Sequence, residues 1–433
     1  MVTRQGAPDG VAMGAAMGER QMDQTAAEQG STRAMRFLIA LMFFGTIINY
    51  IDRQVFSLLK PTLERVYGFT DQQFGDIAAA SQLSAALALL FAGWLIDRFG
   101  VKLAYGTAVV VWSLAGMAHA LAASVTQFIT ARVILIAAES VNTPAAVKSA
   151  AQYLPIKVRS WSLGIINTAP NIGNILAPLT VVPFALAFGW QAAFLVTGAL
   201  GFVWLVFWVL GTRNLHPIAR AKGTEQARPA MGEALSDRKT WAIAGAKAIT
   251  DMFWWFFTFW LPDLFHKVFN LSQQELVGPT ALAFTLAAIG ALTAGWLFPK
   301  LLSRGLSVNR ARKTAMLLFA LAILPIPLAL SAASPWTAAA LIGLGLFAHQ
   351  GFSTNIFGFA ADAIPSSRVA TVMAIGAIAG NVAGFGIQAA TGRLLTAGYG
   401  YQPLFWAASG AYLLALAWIH LLVPRIVAED ELA

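Results

Sequence analysis

Twelve apolar stretches of about twenty residues, each long enough to cross a hydrocarbon core of about 30 Å, dominate this sequence. Six fall at 37–59, 74–96, 103–122, 127–150, 161–186 and 192–210. The other six fall at 241–265, 277–301, 314–331, 336–360, 369–396 and 404–422. A water-soluble fold has no place for so many. With 58% hydrophobic residues, 11% charged residues and a mean hydropathy of +0.66, the solvent for the chain is lipid. The expected fold class is an all-α integral membrane protein of twelve transmembrane helices in two six-helix halves.

Polar segments set the boundaries. Residues 1–34 contain Glu19, Asp23 and Glu28 among Ala, Gly, Gln and Met, without helical hydrophobic periodicity, and are expected to be a disordered cytoplasmic tail. They lack the basic start and apolar run of a cleaved signal. A linker at 212–240, holding Arg213, Arg220, Lys222, Arg228, Arg238 and Lys239, separates the halves at 35–211 and 241–423, and 424–433 is a short tail. Loops on the linker side carry Arg98, Lys102, Lys157, Arg159, Arg304, Arg310, Arg312 and Lys313, whereas the opposite loops offer chiefly Lys60, Arg65 and Lys267. The positive-inside rule then puts both termini and the linker in the cytoplasm, with the chain in the cytoplasmic (inner) membrane. The same placement explains the net charge of +9 without nucleic acid as partner. Cysteine is absent and the five histidines form no zinc motif, so neither a metal nor a cofactor is expected.

The halves echo one another. Gly93-Trp94 before a basic loop recurs as Gly295-Trp296 before Arg304-Gly305, and Leu154-Pro155 through Arg159 recurs as Ile364-Pro365 through Arg368. Parallel repeats of this kind place a substrate site at mid-membrane between the halves.

Charge inside the membrane costs at least about 2.5 kcal/mol per group on insertion scales and therefore needs a partner, a wet surface or a task. The first span holds Asn49-Tyr50-Ile51-Asp52-Arg53, the fourth holds Arg132 and Glu139 with Lys148 near its end, and the seventh holds Lys247 and Asp251. Seven residues separate Arg132 from Glu139, so they share a helix face with a rise of about 10 Å and Glu139 lies near mid-membrane. A carboxyl at that depth suits a proton carrier, and Asp52 can serve likewise. The competing account is a packing network in which the four charges of Asp52, Arg53, Arg132 and Glu139 neutralise one another. Lys247 and Asp251, four apart, either pair along their helix or present Lys247 to a substrate carboxylate with Asp251 orienting it. In the aromatic run 253–260, Trp254 and Trp255 are the candidates for ligand contact and the rest read as core or lipid-facing rings. Asn167, Thr168, Asn171 and Asn174, then His349, Gln350, Ser353, Thr354 and Asn355, then Asn381 and Gln388, put amides and hydroxyls on three helices at similar depth. They form either a hydroxyl-binding lining or interhelical hydrogen bonds.

These residues match a known family. The run Gly-Trp-Leu-Ile-Asp-Arg-Phe-Gly at 93–100 resembles the loop motif between the second and third helices of the major facilitator superfamily. The resemblance implies a gating role for Gly93, Asp97, Arg98 and Gly100 on the cytoplasmic side. Asn49 through Arg53, with Arg132 and Glu139, resembles the anion:cation symporter family, which implies proton coupling at Asp52 and Glu139 and substrate contact at Arg53. The 247–262 segment, His349-Gln350 through Asn355 and Lys148 look most like the hexuronate transporters. One departure concerns the substrate: relatives carry a tyrosine eight residues before the motif glycine, where this chain has Ala85, so that contact is lost or moves to Gln82.

The expected activity is alternating-access import of a sugar acid, most simply galacturonate or glucuronate, with protons, by a monomer whose partners are the anion, protons and the bilayer. Asp52 and Glu139 are the proton-coupling candidates. Tyr50, Arg53, Gln82, Arg132, Asn167, Asn171, Lys247, Trp254, His349, Asn355 and Asn381 are the substrate-binding candidates. The alternative within the same class is a carrier or exchanger of another organic monoanion, an aldonate, aldarate or aromatic acid, without obligatory proton coupling. A membrane-embedded enzyme is disfavoured because no nucleophile-and-base pair or metal set is visible.

Overall fold

A computed structural model describes residues 9–215, 217, 231–365 and 368–426, with side chains described from residue 33 onward except those of 156, 160 and 231. The first half comprises α1 (Asp9–Leu58), α2 (Lys60–Tyr67), α3 (Asp71–Phe99), α4 (Val101–Ala118, prolonged by a 3-10 turn at His119–Leu121), α5 (Val125–Glu139), α6 (Asn142–Tyr153), α7 (Ile156–Ile166), α8 (Ala169–Phe188) and α9 (Trp190–Thr212). The second comprises α10 (Met231–Ser236), α11 (Arg238–Phe269), α12 (Val277–Ser303), α13 (Val308–Ala322, prolonged at Ile326–Ser331), α14 (Pro335–Ala363), α15 (Val369–Thr396) and α16 (Gln402–Leu422). Counting α5–α6 and α7–α8 as single passages, and leaving out the short α2 and α10, the chain makes twelve passages in two groups of six.

The sequence explains where helices start and stop. Ser124, Ser307 and Ser334 each accept a hydrogen bond from the backbone N–H three residues on, and Thr70 with Gln73 forms a reciprocal capping box at the start of α3. Gly100 and Gly189, at φ 78° and 90°, make the tight reversals α3–α4 and α8–α9 that a side chain would oppose.

Two expectations change. The passage expected as continuous at 127–150 breaks after Glu139, and the one at 161–186 starts at Ile156 and breaks at Asn167–Thr168. Both breaks have the same cause: Pro144 and Pro170 lack the N–H that the Ser140 and Ile166 carbonyls would otherwise receive. At the amino end, α1 begins at Asp9, so the stretch expected as a disordered tail is helical from that residue on and runs straight into the first span. Its Ala, Met, Gln and Glu are good helix formers, which composition-based reading for disorder undervalues. Most of the expected linker, at 218–230, and the tail at 427–433 lie outside the described residues.

Nine passages contain a helix long and apolar enough to cross a membrane on composition alone. The three that do not are α5–α6, α11 and α14, which carry Arg132, Glu139, Lys247, Asp251 and His349. Polarity is thus concentrated on a few helices.

Within lipid, helices associate by close packing and small residues permit it. Gly173 of α8 faces the Ile47 carbonyl of α1, and Gly290 of α12 meets the Phe347 backbone of α14. Between the halves, α3 lies along α15, α8 along α12 and α1 against α11. A methyl on Gly75 would sit 2.8 Å from the Gln388 carbonyl oxygen and 2.9 Å from the Gly392 Cα, so α3 and α15 touch backbone to backbone. The polar contacts between halves lie at mid-depth or on the face away from the termini: Ser57 donates to the Phe259 carbonyl at 2.5 Å, Gln273 to the Leu58 carbonyl at 3.3 Å, and the Gln72 N–H to Thr396 Oγ1 at 3.0 Å. On the termini side the described ion pairs stay within one half, Lys148–Asp97 at 2.8 Å and Arg312–Asp362 at 2.7 Å. The distal face is closed.

Gly75→Val should force α3 and α15 apart, because the neighbouring atoms are backbone and cannot turn aside. The expected cost is on the order of 1–3 kcal/mol, read as a drop in unfolding temperature of the detergent-solubilised protein. Gly93→Ala, where a methyl meets nothing within 4 Å, should leave that temperature unchanged.

Candidate functional site

Arg53, on the outer part of α1, is the residue around which the candidate site is built. Its Nε donates to Glu139 Oε2 at 2.9 Å, and its guanidinium lies over the rings of Tyr50 at 5.6 Å and of Trp255, from the other half, at 5.7 Å. No described residue takes a hydrogen bond from its two terminal nitrogens. Glu139 is buried at the break between α5 and α6, where its backbone carbonyl accepts from Asn49 and its second oxygen, Oε1, has no hydrogen-bond partner. The pair is a charged fork with one tine held and two free.

Asp52 points elsewhere. It is buried, neither carboxylate oxygen has a hydrogen-bond partner within bonding distance among the described residues, and Glu139, Thr197 and Arg132 are its polar neighbours. Arg132, fully buried, donates to the backbone carbonyls of Asp52 at 3.4 Å and Arg53 at 2.6 Å, and lies between the rings of Phe56 and, across the halves, Phe259. Expected among the substrate-binding residues, Arg132 directs its two terminal nitrogens to the α1 backbone beside Arg53, while its buried Nε has no hydrogen-bond partner among the described residues.

In the second half, Lys247 Nζ pairs with Asp251 Oδ2 at 2.7 Å along α11, with Phe357 against the ammonium at 5.4 Å. Opposite this pair, α15 presents glycine at every helical turn: Gly376 faces Lys247, Gly380 faces Asp251 and Gly384 faces Trp255. His349 stacks on Trp254 with ring centres 5.0 Å apart, and its Nδ1 lies 2.8 Å from the Tyr412 hydroxyl. Trp254 also packs edge-on against Phe284, a core position.

The amides divide. Asn171 accepts from Gln350 Nε2 at 3.2 Å, bridging the halves, while Asn174 accepts from Gln54 within the first half. Asn355 is tied to Arg312 Nη1 at 3.3 Å and to the Gly351 carbonyl, and Gln388 to Trp260 and the Trp255 carbonyl, so both serve helix packing as interhelical hydrogen bonds do. Gln82 Oε1 and Asn381 Oδ1 are buried acceptors without a donor, and Gln82 lies against Gly384, beside Trp255. Asn167 is exposed at the α7–α8 break and joins none of these groups. Ala85 is buried on α3 one turn from Gln82. In the 93–100 loop, Asp97 is held by Lys148, which places Lys148 at the loop rather than at the site, and Arg98 is exposed.

Sequence reasoning passed over the cluster at the distal face. Lys60 there counts as an ordinary loop cation, yet it is 1% exposed and lies 2.6 Å from Asp263, 2.8 Å from Asp71 and 3.1 Å from Glu64. The available signal was Asp263, a carboxylate one residue past Pro262 in an aromatic helix with no cation assigned to it.

Residues 42–388 match the Major Facilitator Superfamily. The chain is 28% identical over 392 residues to a hexuronate transporter of Escherichia coli (strain K12), covering 85% of this chain and 89% of that one. It is 28% identical over 289 residues to a galacturonate transporter of Dickeya chrysanthemi, covering 63% and 84%. Among solved structures it superposes on a bacterial homologue of the human lysosomal transporter Spinster with a TM-score of 0.70 at 18% identity, covering 92% and 98%. It superposes on a D-xylose-proton symporter with a TM-score of 0.72 at 14% identity, covering 90% and 98%. With two six-helix halves meeting around buried charge, and a superfamily match across most of its length, this chain belongs to the Major Facilitator Superfamily and is a multi-pass membrane transporter, not an enzyme.

Proposed function

We propose that the protein carries a sugar acid, most simply a hexuronate such as galacturonate or glucuronate, in symport with protons. The observation that carries this reading is the Arg53–Glu139 pair, in which Nε is held at 2.9 Å while the terminal nitrogens stay free at the junction of the halves. A guanidinium so held is ready to take a carboxylate in the paired geometry that suits it. Substrate and Glu139 then share one cation. Protonation of Glu139, and of Asp52 beside the same backbone, lets the loaded carrier reorient without stranding buried charge. Coupling follows because proton and substrate stabilise the two facing states unequally. Tyr50, Asn171, Gln82 and Asn381 supply hydroxyl partners, the last two through acceptors that have no donor. The named substrates of the Escherichia coli and Dickeya relatives support the hexuronate choice.

With both termini in the cytoplasm of a cell whose inner membrane holds the protein, the closed distal face is the outside and the structure faces inward. The gating role of Gly93, Asp97, Arg98 and Gly100 belongs to this reading: Asp97, held by Lys148, is the residue that changes partner when the cytoplasmic side closes. The carrier works as a monomer.

A second reading rests on Ala85 and on similarity to a probable L-galactonate transporter of Escherichia coli, at 27% identity over 80% of this chain. Replacing a tyrosine by alanine leaves room for an open-chain aldonate. Exchange of labelled galactonate against hexuronates at equal pH on both sides decides between them.

Proteoliposomes should accumulate labelled galacturonate or glucuronate only under an inward proton gradient. Glu139→Gln should keep counterflow and lose accumulation, because the neutral amide fixes the protonated form. Absence of uptake and exchange of both acids by folded protein would overturn the hexuronate assignment.

Arg53→Lys should lower uptake at least tenfold, since an ammonium cannot hold Glu139 and a substrate carboxylate in one plane. The same assay at saturating substrate reads whether the loss lies in affinity.

Asp251→Asn strands the Lys247 ammonium and should destabilise the protein by about 3–5 kcal/mol. Replacing both residues by alanine should restore thermal stability. If transport also returns, the pair is packing only and Lys247 does not hold the substrate.

A further inference from the structure

The cluster at the distal face joins four separate elements. Lys60 opens α2, Glu64 lies one turn later, Asp71 opens α3, and Asp263 and Lys267 lie one turn apart near the end of α11. Tyr401, just before α16, donates its hydroxyl to Asp263. Across the halves, Lys60 reaches Asp263 at 2.6 Å, while Lys267 reaches Asp71 at 2.5 Å and Glu64 at 3.4 Å. Within the first half, Lys60 also holds Asp71 at 2.8 Å and Glu64 at 3.1 Å, and within the second, Lys267 lies 3.7 Å from Asp263. Burial alone would push the Lys60 ammonium down, but the carboxylates of Asp263, Asp71 and Glu64 more than offset it and hold the group charged. The rings of Phe74 and Trp260 cover it at 5.2 and 5.4 Å. The three carboxylates converge as a metal site would, and two ammonium groups already fill that role.

Each cation thus has partners on both sides of the seam. We propose that Lys60 and Asp263 are the positioning pair of a distal latch that opens by exchange of partners, Lys60 falling back on Glu64 and Asp71 while Asp263 falls back on Lys267 and Tyr401. A buried ion pair pulled apart into two lone charges would bar opening, because an uncompensated buried charge is the costly outcome. Here separation leaves carboxylates with a cation in both halves. The latch closes firmly and still opens, which a carrier needs and a static structural bridge does not provide. The inference goes beyond the choice of substrate and holds whichever anion is carried.

The chain contains no cysteine, so one introduced thiol reports alone. Ser57, fully buried beneath the latch with its hydroxyl on the Phe259 carbonyl of the other half, is the place for it. The experiment measures the rate at which Ser57→Cys in oriented membranes reacts with a membrane-impermeant maleimide added on the side opposite the termini, with no substrate present. Lys60→Ala and Asp263→Asn should each raise that rate about tenfold, Lys60→Arg should restore it, and the exchanged pair Lys60→Asp with Asp263→Lys should fall nearer the parent than either single change. Lys267→Gln removes the fallback cation of Asp263 together with the cross-half contacts to Asp71 and Glu64, and should lower turnover because the opened state then leaves Asp263 without a cation. Unchanged labelling in Asp263→Asn, in protein that elutes as a folded species, overturns the latch, as does an exchanged pair that labels as fast as the single changes. Should Lys60→Ala not fold, Asp263→Asn and the exchanged pair decide alone. Because the readout uses neither substrate nor a proton gradient, its failure leaves the symport reading standing, and failure of uptake leaves the latch standing.

Discussion

A charge removed from water must find another charge or a dense set of hydrogen bonds, and the structure is arranged around that requirement. Arg53 with Glu139, Lys247 with Asp251, Arg312 with Asp362, and Lys60 with its three carboxylates are all ion pairs within a lipid-solvated fold. Their positions differ in what surrounds them. Arg312 is sealed by Asn355 and the ring of Phe298 at 3.4 Å and leaves nothing for a ligand. Arg53 is held by one nitrogen only.

The same requirement explains why α5–α6, α11 and α14 fall short of the apolar length that the other passages reach. These helices are flanked by others, α5 by α3 and α4, α11 by α15, and α14 by α12.

The twelve passages and their grouping were legible because a hydrocarbon core imposes a length and a composition that survive any detail of packing. Loop charges and the 93–100 motif were legible for the same reason, being local. The Arg53–Glu139 contact was foreseeable as a neighbourhood, since helical spacing puts Arg132 and Glu139 on one face. Which arginine takes the carboxylate was not, because that depends on the rotation of α1 against α5. Arg132 and Asn355 read as site residues from their chemistry, and their hydrogen bonds to the α1 backbone and to Arg312 were not legible in the sequence. No periodicity records which neighbour a buried amide selects. The distal cluster escaped because its members come from both halves, 203 residues apart for Lys60 and Asp263, and Lys60 and Lys267 alone look like ordinary loop charges.

The glycines at 376, 380 and 384 give the second half of the site a wall made of backbone. Side chains absorb small displacements by changing rotamer, but a helix backbone cannot. The room around Lys247, Asp251 and Trp255 is therefore set by the spacing of two whole helices. In a membrane that spacing answers to the lateral pressure and thickness of the surrounding lipid. The dimensions of this pocket wall are accordingly a property of the bilayer as well as of the chain, and differ between detergent and native lipid.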